Sequence, residues 1–93
     1  METDDLFLGA FGLVRGGELV EVEVRGLNGR PVAVFHIAGP DMDDVEREYH
    51  QGHTRVDLRL LKSSVRRLKD RAFDAIRKEE GSHAQGSPLY RRR

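Results

Sequence analysis

Apolar and polar residues along this 93-residue chain follow distinct rhythms, and each rhythm predicts an element. In Leu6-Phe7-Leu8-Gly9-Ala10-Phe11-Gly12-Leu13-Val14 the sets Leu6, Ala10, Leu13 and Phe7, Phe11, Val14 recur at helical spacing. Thr3 is the expected N-cap, with Asp4 and Asp5 in the first turn, where the helix dipole favours negative charge. Gly9 and Gly12 each weaken a helix by about 1 kcal/mol; the spacing still favours helix over strand, and Gly16-Gly17 ends it. Leu19-Val20-Glu21-Val22-Glu23-Val24-Arg25 then alternates with period two. That is a half-buried strand with Val20, Val22 and Val24 inward. Asn28-Gly29 is a preferred hairpin dipeptide, because both residues accept positive φ. Pro31-Val32-Ala33-Val34-Phe35-His36-Ile37 is the returning strand, with proline at its tolerated first position.

The rhythm changes again after Gly39-Pro40. Asp41 is expected to cap a short helix from about Met42 to His50, with Asp43, Asp44 and Glu46 at its N-terminal end. Met42, Val45 and Tyr49 share one face, and Gly52 closes the helix. Thr54-Arg55-Val56-Asp57 reads as a capping box with Asp in the place of Glu, starting a long helix from about Thr54 to Glu80. Its stripe of Leu58, Leu61, Val65, Leu68, Ala72 and Ile76 steps by three or four residues. About 25 residues of helix span roughly 38 Å, long for a chain of this size, so part of it is expected to meet another chain.

The expected architecture is α+β in the order α-β-β-α-α. An antiparallel hairpin packs against helices within a single domain, residues 1–80. Residues 81–93 have linker composition followed by a basic tail that is expected to be disordered. A lone hairpin is marginally stable and has two open edges. Pairing two hairpins across a two-fold axis would complete the sheet, so a homodimer is expected.

Composition narrows the function classes. Cysteine is absent, which removes disulfides and thiolate chemistry. No long apolar run offers a membrane span, and the acidic start Met1-Glu2-Thr3-Asp4-Asp5 is unlike a secretory signal, so a cytoplasmic location without membrane contact is expected. The formal net charge of zero conceals an asymmetry. Residues 1–52 hold four Arg against eleven acidic residues, net −7; residues 53–93 hold twelve Lys or Arg against five acidic residues, net +7. Either the halves neutralise each other, within one chain or across a dimer, or the basic half faces a polyanion.

On the long helix Arg55, Arg59, Lys62, Arg66, Lys69 and Arg77 fall within about 80° of one another, with Phe73 in the middle of that face. Such a ridge can follow phosphates of DNA or RNA while the ring stacks on a base. The competing reading is a solvated face with Arg66–Asp70 and Asp74–Lys78 as ordinary ion pairs one turn apart, or Phe73 packed under a second chain. His50, His53 and Glu46 are the one metal-like grouping, but Gly52 interrupts their helix. Asp41, Asp43 and Asp44 lack the glycine and bidentate Glu of a calcium loop. Ser63-Ser64 has no base to activate it. Gly9, Gly12, Gly16 and Gly17 do not follow a strand or lead to a Gly-Lys-Ser/Thr. The reading is therefore a chain with no catalytic residue, no metal and no cofactor. It would act as a non-enzymatic nucleic-acid-binding accessory protein, or else as a homodimeric assembly module with complementary acidic and basic surfaces.

Several segments together resemble a small family of bacterial and phage-borne domains with no assigned activity. They are Asp5-Leu6-Phe7-Leu8-Gly9-Ala10-Phe11, Val32-Ala33-Val34-Phe35, Glu48-Tyr49-His50-Gln51-Gly52, Val56-Asp57 and Leu68-Lys69-Asp70-Arg71-Ala72-Phe73. The resemblance covers roughly residues 4–75. It implies no catalytic residue, and its phage-associated context points toward nucleic-acid or regulatory partners.

Overall fold

A computed structural model describes residues 1–26, 29–52 and 54–84, the side chains of 80–84 excepted. The elements in chain order are β1 (Glu2–Thr3), α1 (Leu6–Val14), β2 (Glu18–Arg25), β3 (Val32–Ala38), α2 (Met42–Gln51) and α3 (Leu58–Ala84). The fold is α+β, with one strand more than the pattern predicted.

The added strand changes the sheet. β1 pairs antiparallel with β3, Glu2 opposite His36 and Thr3 opposite Phe35, giving the order β1-β3-β2. The Ile37 N–H donates to the Met1 carbonyl at 2.8 Å and continues the ladder. The hairpin therefore does not stand alone with two open edges: β3 is central, and β2 keeps a free edge. Two residues are too few to show a period, and the acidic start of the chain read as helix cap instead. Thr3 does not cap α1. Its hydroxyl accepts from the Asp5 N–H at 3.0 Å. Asp5 is the cap, with Oδ1 accepting from the N–H groups of Phe7 (3.0 Å) and Leu8 (3.2 Å), so no acidic residue lies in the first turn itself.

β2 corrects the predicted facing of one residue. Leu19 pairs with Ile37 and Glu21 with His36, which leaves Val20 as a bulge between them. The extra residue shifts the phase: Leu19, Val22 and Val24 share the inner face, and Val20 is 63% exposed. A bulge leaves no mark on a run that alternates on both sides of it. Asn28 lies outside the described residues, while Gly29 takes φ 74°, the left-handed conformation its turn requires.

The core lies between the inner face of the sheet and the helices. Ala10, Phe11, Leu19, Phe35, Ile37, Met42, Val45 and Leu68 form it. Gly9 explains why α1 tolerates a residue of poor helix propensity. A Cβ there would stand 3.0 Å from Leu68 Cδ1 and 3.5 Å from Ile37 Cδ1, so its absence lets α1 settle against α3 and the sheet. Met42 and Val45 of α2 are buried and Tyr49 half-buried, as their spacing predicts. Tyr49 Oη donates to Asp5 Oδ2 at 3.0 Å, and Arg15 meets Glu48 through two hydrogen bonds, tying α2 to both ends of α1. Burial, then the Asp5 hydrogen bond, pushes the Tyr49 phenol up. Asp41 precedes α2 in a left-handed conformation (φ 64°) and makes no side-chain cap bond, contrary to its expected role. Capping needs an extended backbone to turn the carboxylate toward the first amides. Gly52 closes α2, as expected.

α3 starts at Leu58 rather than Thr54 and includes residues 81–84, which composition assigned to a linker; residues 85–93 lie outside the described part. The cap is Asp57, whose Oδ1 accepts from the N–H groups of Arg59 (2.9 Å) and Leu60 (3.3 Å). Asp57→Ala is expected to cost about 1 kcal/mol in denaturant unfolding and Thr54→Ala far less; equal losses would put the cap back at Thr54.

Candidate nucleic-acid interface

α3 presents two unlike sides. Leu61, Val65 and Ala72 pack against the core and Leu68 is buried completely, which fixes how the helix is rotated. Leu58, at the head of the predicted stripe, is 66% exposed, because it begins the helix beyond the layer that would cover it. Rotation by the buried stripe turns Arg59, Lys62, Arg66, Lys69, Phe73 and Arg77 to one exposed side. Arg55 is exposed too, but it precedes α3, so the helical spacing does not place it on this ridge. Phe73 is 58% exposed, an unusual position for a ring of its size.

The ion pairs show where charge is already balanced. Arg15 pairs with Glu48, Arg25 with Glu2 and Glu23, Arg47 with Asp44, and Arg77 with Asp74. His36 also lies against Glu2 and Glu23. Among the described residues no ion pair joins the acidic first half of the chain to the basic second half. The expected Arg66–Asp70 and Asp74–Lys78 pairs do not form among them either, and Asp74 takes Arg77 instead. Arg59, Lys62, Arg66 and Lys69 therefore stand without an ion-pair partner among the described residues. The other flank of α3 differs. Arg71 and Lys78 line an open groove of about 480 Å³ together with Asp74 and Glu79 of α3 and Glu21 and Glu23 of β2, so residues of both charges border it.

A second cluster lies on the sheet face opposite the core, one element contributing each acid–base partner. Glu2 comes from β1, His36 from β3, and Glu23 and Arg25 from β2. Arg25 Nη2 donates to Glu2 Oε2 at 2.5 Å and to Glu23 Oε1 at 3.0 Å, and its Nε donates to Glu23 Oε2 at 2.9 Å. His36 Nε2 lies 2.8 Å from Glu23 Oε1. To reach Glu2 the Arg25 side chain crosses the central strand, and Val34 of that strand is only 6% exposed although it points away from the core. Val34 therefore lies on the same sheet face as the network. Donor atoms of Glu2, Glu23 and His36 fall within 4.8 Å of one another, near enough to hold a metal ion. The guanidinium of Arg25 already supplies a cation between the two carboxylates. The pattern of the sequence did not assemble this cluster, because Glu2 was not read as part of a strand. The earlier metal-like grouping fares differently: His53 lies outside the described residues, and His50 packs edge-on against Tyr49, ring centroids 5.5 Å apart.

The Arg25 hydrogen bonds, followed by the contact with His36, lower the Glu23 carboxyl from 4.5 to about 2. Glu23, then Glu2, raises the Arg25 guanidinium. The folded chain binds the Glu23 proton more weakly than the unfolded chain, so this carboxylate's stabilisation is complete above about pH 4.5 and is lost as the pH falls toward 2. Arg25→Gln is expected to flatten the dependence of unfolding free energy on pH in that window, followed by circular dichroism. An unchanged slope would mean that the exposed network contributes nothing to folding.

No protein-family model, curated protein or solved structure matches this chain. Among the described residues no helix is long and apolar enough to cross a membrane. The reading of function rests on the surface itself.

Proposed function

We propose that this protein is a non-enzymatic nucleic-acid-binding accessory or regulatory protein that uses the exposed basic ridge of α3. One observation carries this reading. Arg59, Lys62, Arg66 and Lys69 are lined up on one exposed face and have no carboxylate partner among the described residues, whereas the paired acids of the first half are satisfied within that half. Aligned, unneutralised cations attract a polyanion and gain by releasing its condensed counterions. Fluorescence anisotropy with labelled single- and double-stranded oligonucleotides at low salt tests it. Binding that weakens as salt rises supports it, and undetectable binding to both ends it.

A second reading has its own observation. Phe73, Leu58 and Leu60 are each more than half exposed, and apolar side chains on a charged helix face also serve as anchors between copies. In that reading the acidic half of one chain meets the basic helix of its partner in a homodimer. The free edge of β2 leaves room for strand pairing, but β1 already covers the other edge, so the sheet does not demand a partner. Light scattering at tens of micromolar distinguishes the two: neutralising the ridge would dissociate a dimer in this reading and leave the association state unchanged in the first.

A further inference from the structure

We infer that the ridge takes single-stranded rather than duplex nucleic acid, with the Phe73 ring as the platform for an unpaired base. This rests on the nucleic-acid reading above and adds the class of ligand. The reason is the exposed Phe73 ring on a helix whose other contacts are already made by the fold. A helix reading duplex DNA enters a major groove about 12 Å wide, and a helix with its side chains is itself about 10–12 Å across. α3 cannot enter alone. Its buried face carries Leu61, Val65, Leu68 and Ala72 into the core, with α1 and the sheet behind them. The molecule's two smaller extents are 25 and 20 Å. A duplex meeting the ridge offers its phosphates to the cations but no open base face to the ring.

Phe73 is then the deciding residue. In a duplex both faces of each base are already stacked, so an outward ring gains nothing there. A single strand offers open base faces, and stacking on an aromatic side chain is indifferent to sequence. Lys69 and Arg77 lie one turn before and one turn after Phe73, about 6 Å away along the helix axis. Lys69 has no ion-pair partner among the described residues and Arg77 is paired with Asp74, so a base on the ring would set its neighbouring phosphate against Lys69 first. Among the described residues the aromatic and cation–π contacts engage Phe11, Tyr49, His50 and Arg15, and none involves Phe73. The ring is therefore not spent on the fold.

The chain contains no Trp, so Phe73→Trp installs a single reporter at the platform. Titrating that variant with a short oligothymidylate at low salt is expected to quench its emission, while the matched duplex leaves the emission unchanged. Phe73→Ala is expected to weaken single-strand binding roughly five- to a hundredfold and to leave duplex binding as it was. Unquenched emission on binding, equal losses for both ligands, or a duplex bound as tightly as the single strand would each overturn the inference and leave the nucleic-acid reading standing. Failure of the unaltered protein to bind either oligonucleotide would remove that reading and this one together. If Phe73→Ala instead dissociates an oligomer without changing single-strand affinity, the ring belongs to an interface between copies and the inference is wrong.

Discussion

Changing Arg59, Arg66 and Lys69 together to Glu is expected to bring oligonucleotide binding below detection while the circular dichroism spectrum stays as it was. All three are exposed and none has an ion-pair partner among the described residues, so the fold loses no contact that has been described. The four unpaired cations of the ridge, these three and Lys62, set the scale. With four phosphates neutralised, the logarithm of affinity should fall with the logarithm of salt at a slope of roughly −3 for a single strand. That corresponds to roughly a fiftyfold loss between 50 and 200 mM salt. Reversing three of the four replaces attraction with repulsion along the whole face. A slope near zero in the unaltered protein, or a triple variant that binds undiminished, would show that the ridge is only a solvated helix face. Loss of a dimer in the triple variant, with nucleic-acid affinity absent throughout, would favour the assembly reading.

Leu68→Ala is expected to be the most damaging single truncation. Leu68 is completely buried, on the one helix that packs against both α1 and the sheet. Its Cδ1 occupies the space that Gly9 leaves open. Removing it opens a cavity where two helices and the sheet meet, and α1 cannot close the gap without lifting Ala10 and Phe11 out of their own contacts. Truncations of this kind cost about 3–5 kcal/mol, a large share of the 5–15 kcal/mol typical of a whole domain. At roughly 4–8 °C per kcal/mol for a domain of this size, thermal unfolding should shift down by at least roughly 12 °C. Leu58→Ala makes the internal control: on the same helix but 66% exposed, it is expected to shift Tm far less. Equal shifts would mean that α3 packs through a different face. Because the ridge is displayed by the same rotation, that result would also undercut its placement.

Much of the architecture was legible in the order of the residues. Helical spacing in Leu6–Val14 and along α3, period-two alternation in β2 and β3, and the amphipathic α2 each depend on burial of one face, and burial of one face imposes its period on the chain. The exposed ridge followed in the same way: once the buried stripe of α3 is known, the positions outside it, the ridge among them, are known to be free to face outward. What required contacts distant in sequence was not legible. Glu2 and Thr3 become a strand only because β3 offers an edge. Val20 turns outward only because the ladder slips by one residue against Ile37 and His36. Asp5 and Asp57 displace Thr3 and Thr54 as caps because each side chain reaches the first free amides of its helix, while Thr3 instead receives the Asp5 N–H. The Glu2–Glu23–Arg25–His36 network assembles across three strands that no local pattern brings together.

The charge asymmetry shows the division most clearly. The sequence by itself determined that seven excess acids precede seven excess bases. Whether those charges cancel within one chain was a matter of tertiary structure, because an ion pair forms only between side chains that the fold brings within reach. Here Glu2, Glu23, Asp44 and Glu48 of the first half find Arg15, Arg25, Arg47 and His36 beside them, and the long helix is packed so that its basic ridge turns outward with four cations that meet no carboxylate among the described residues.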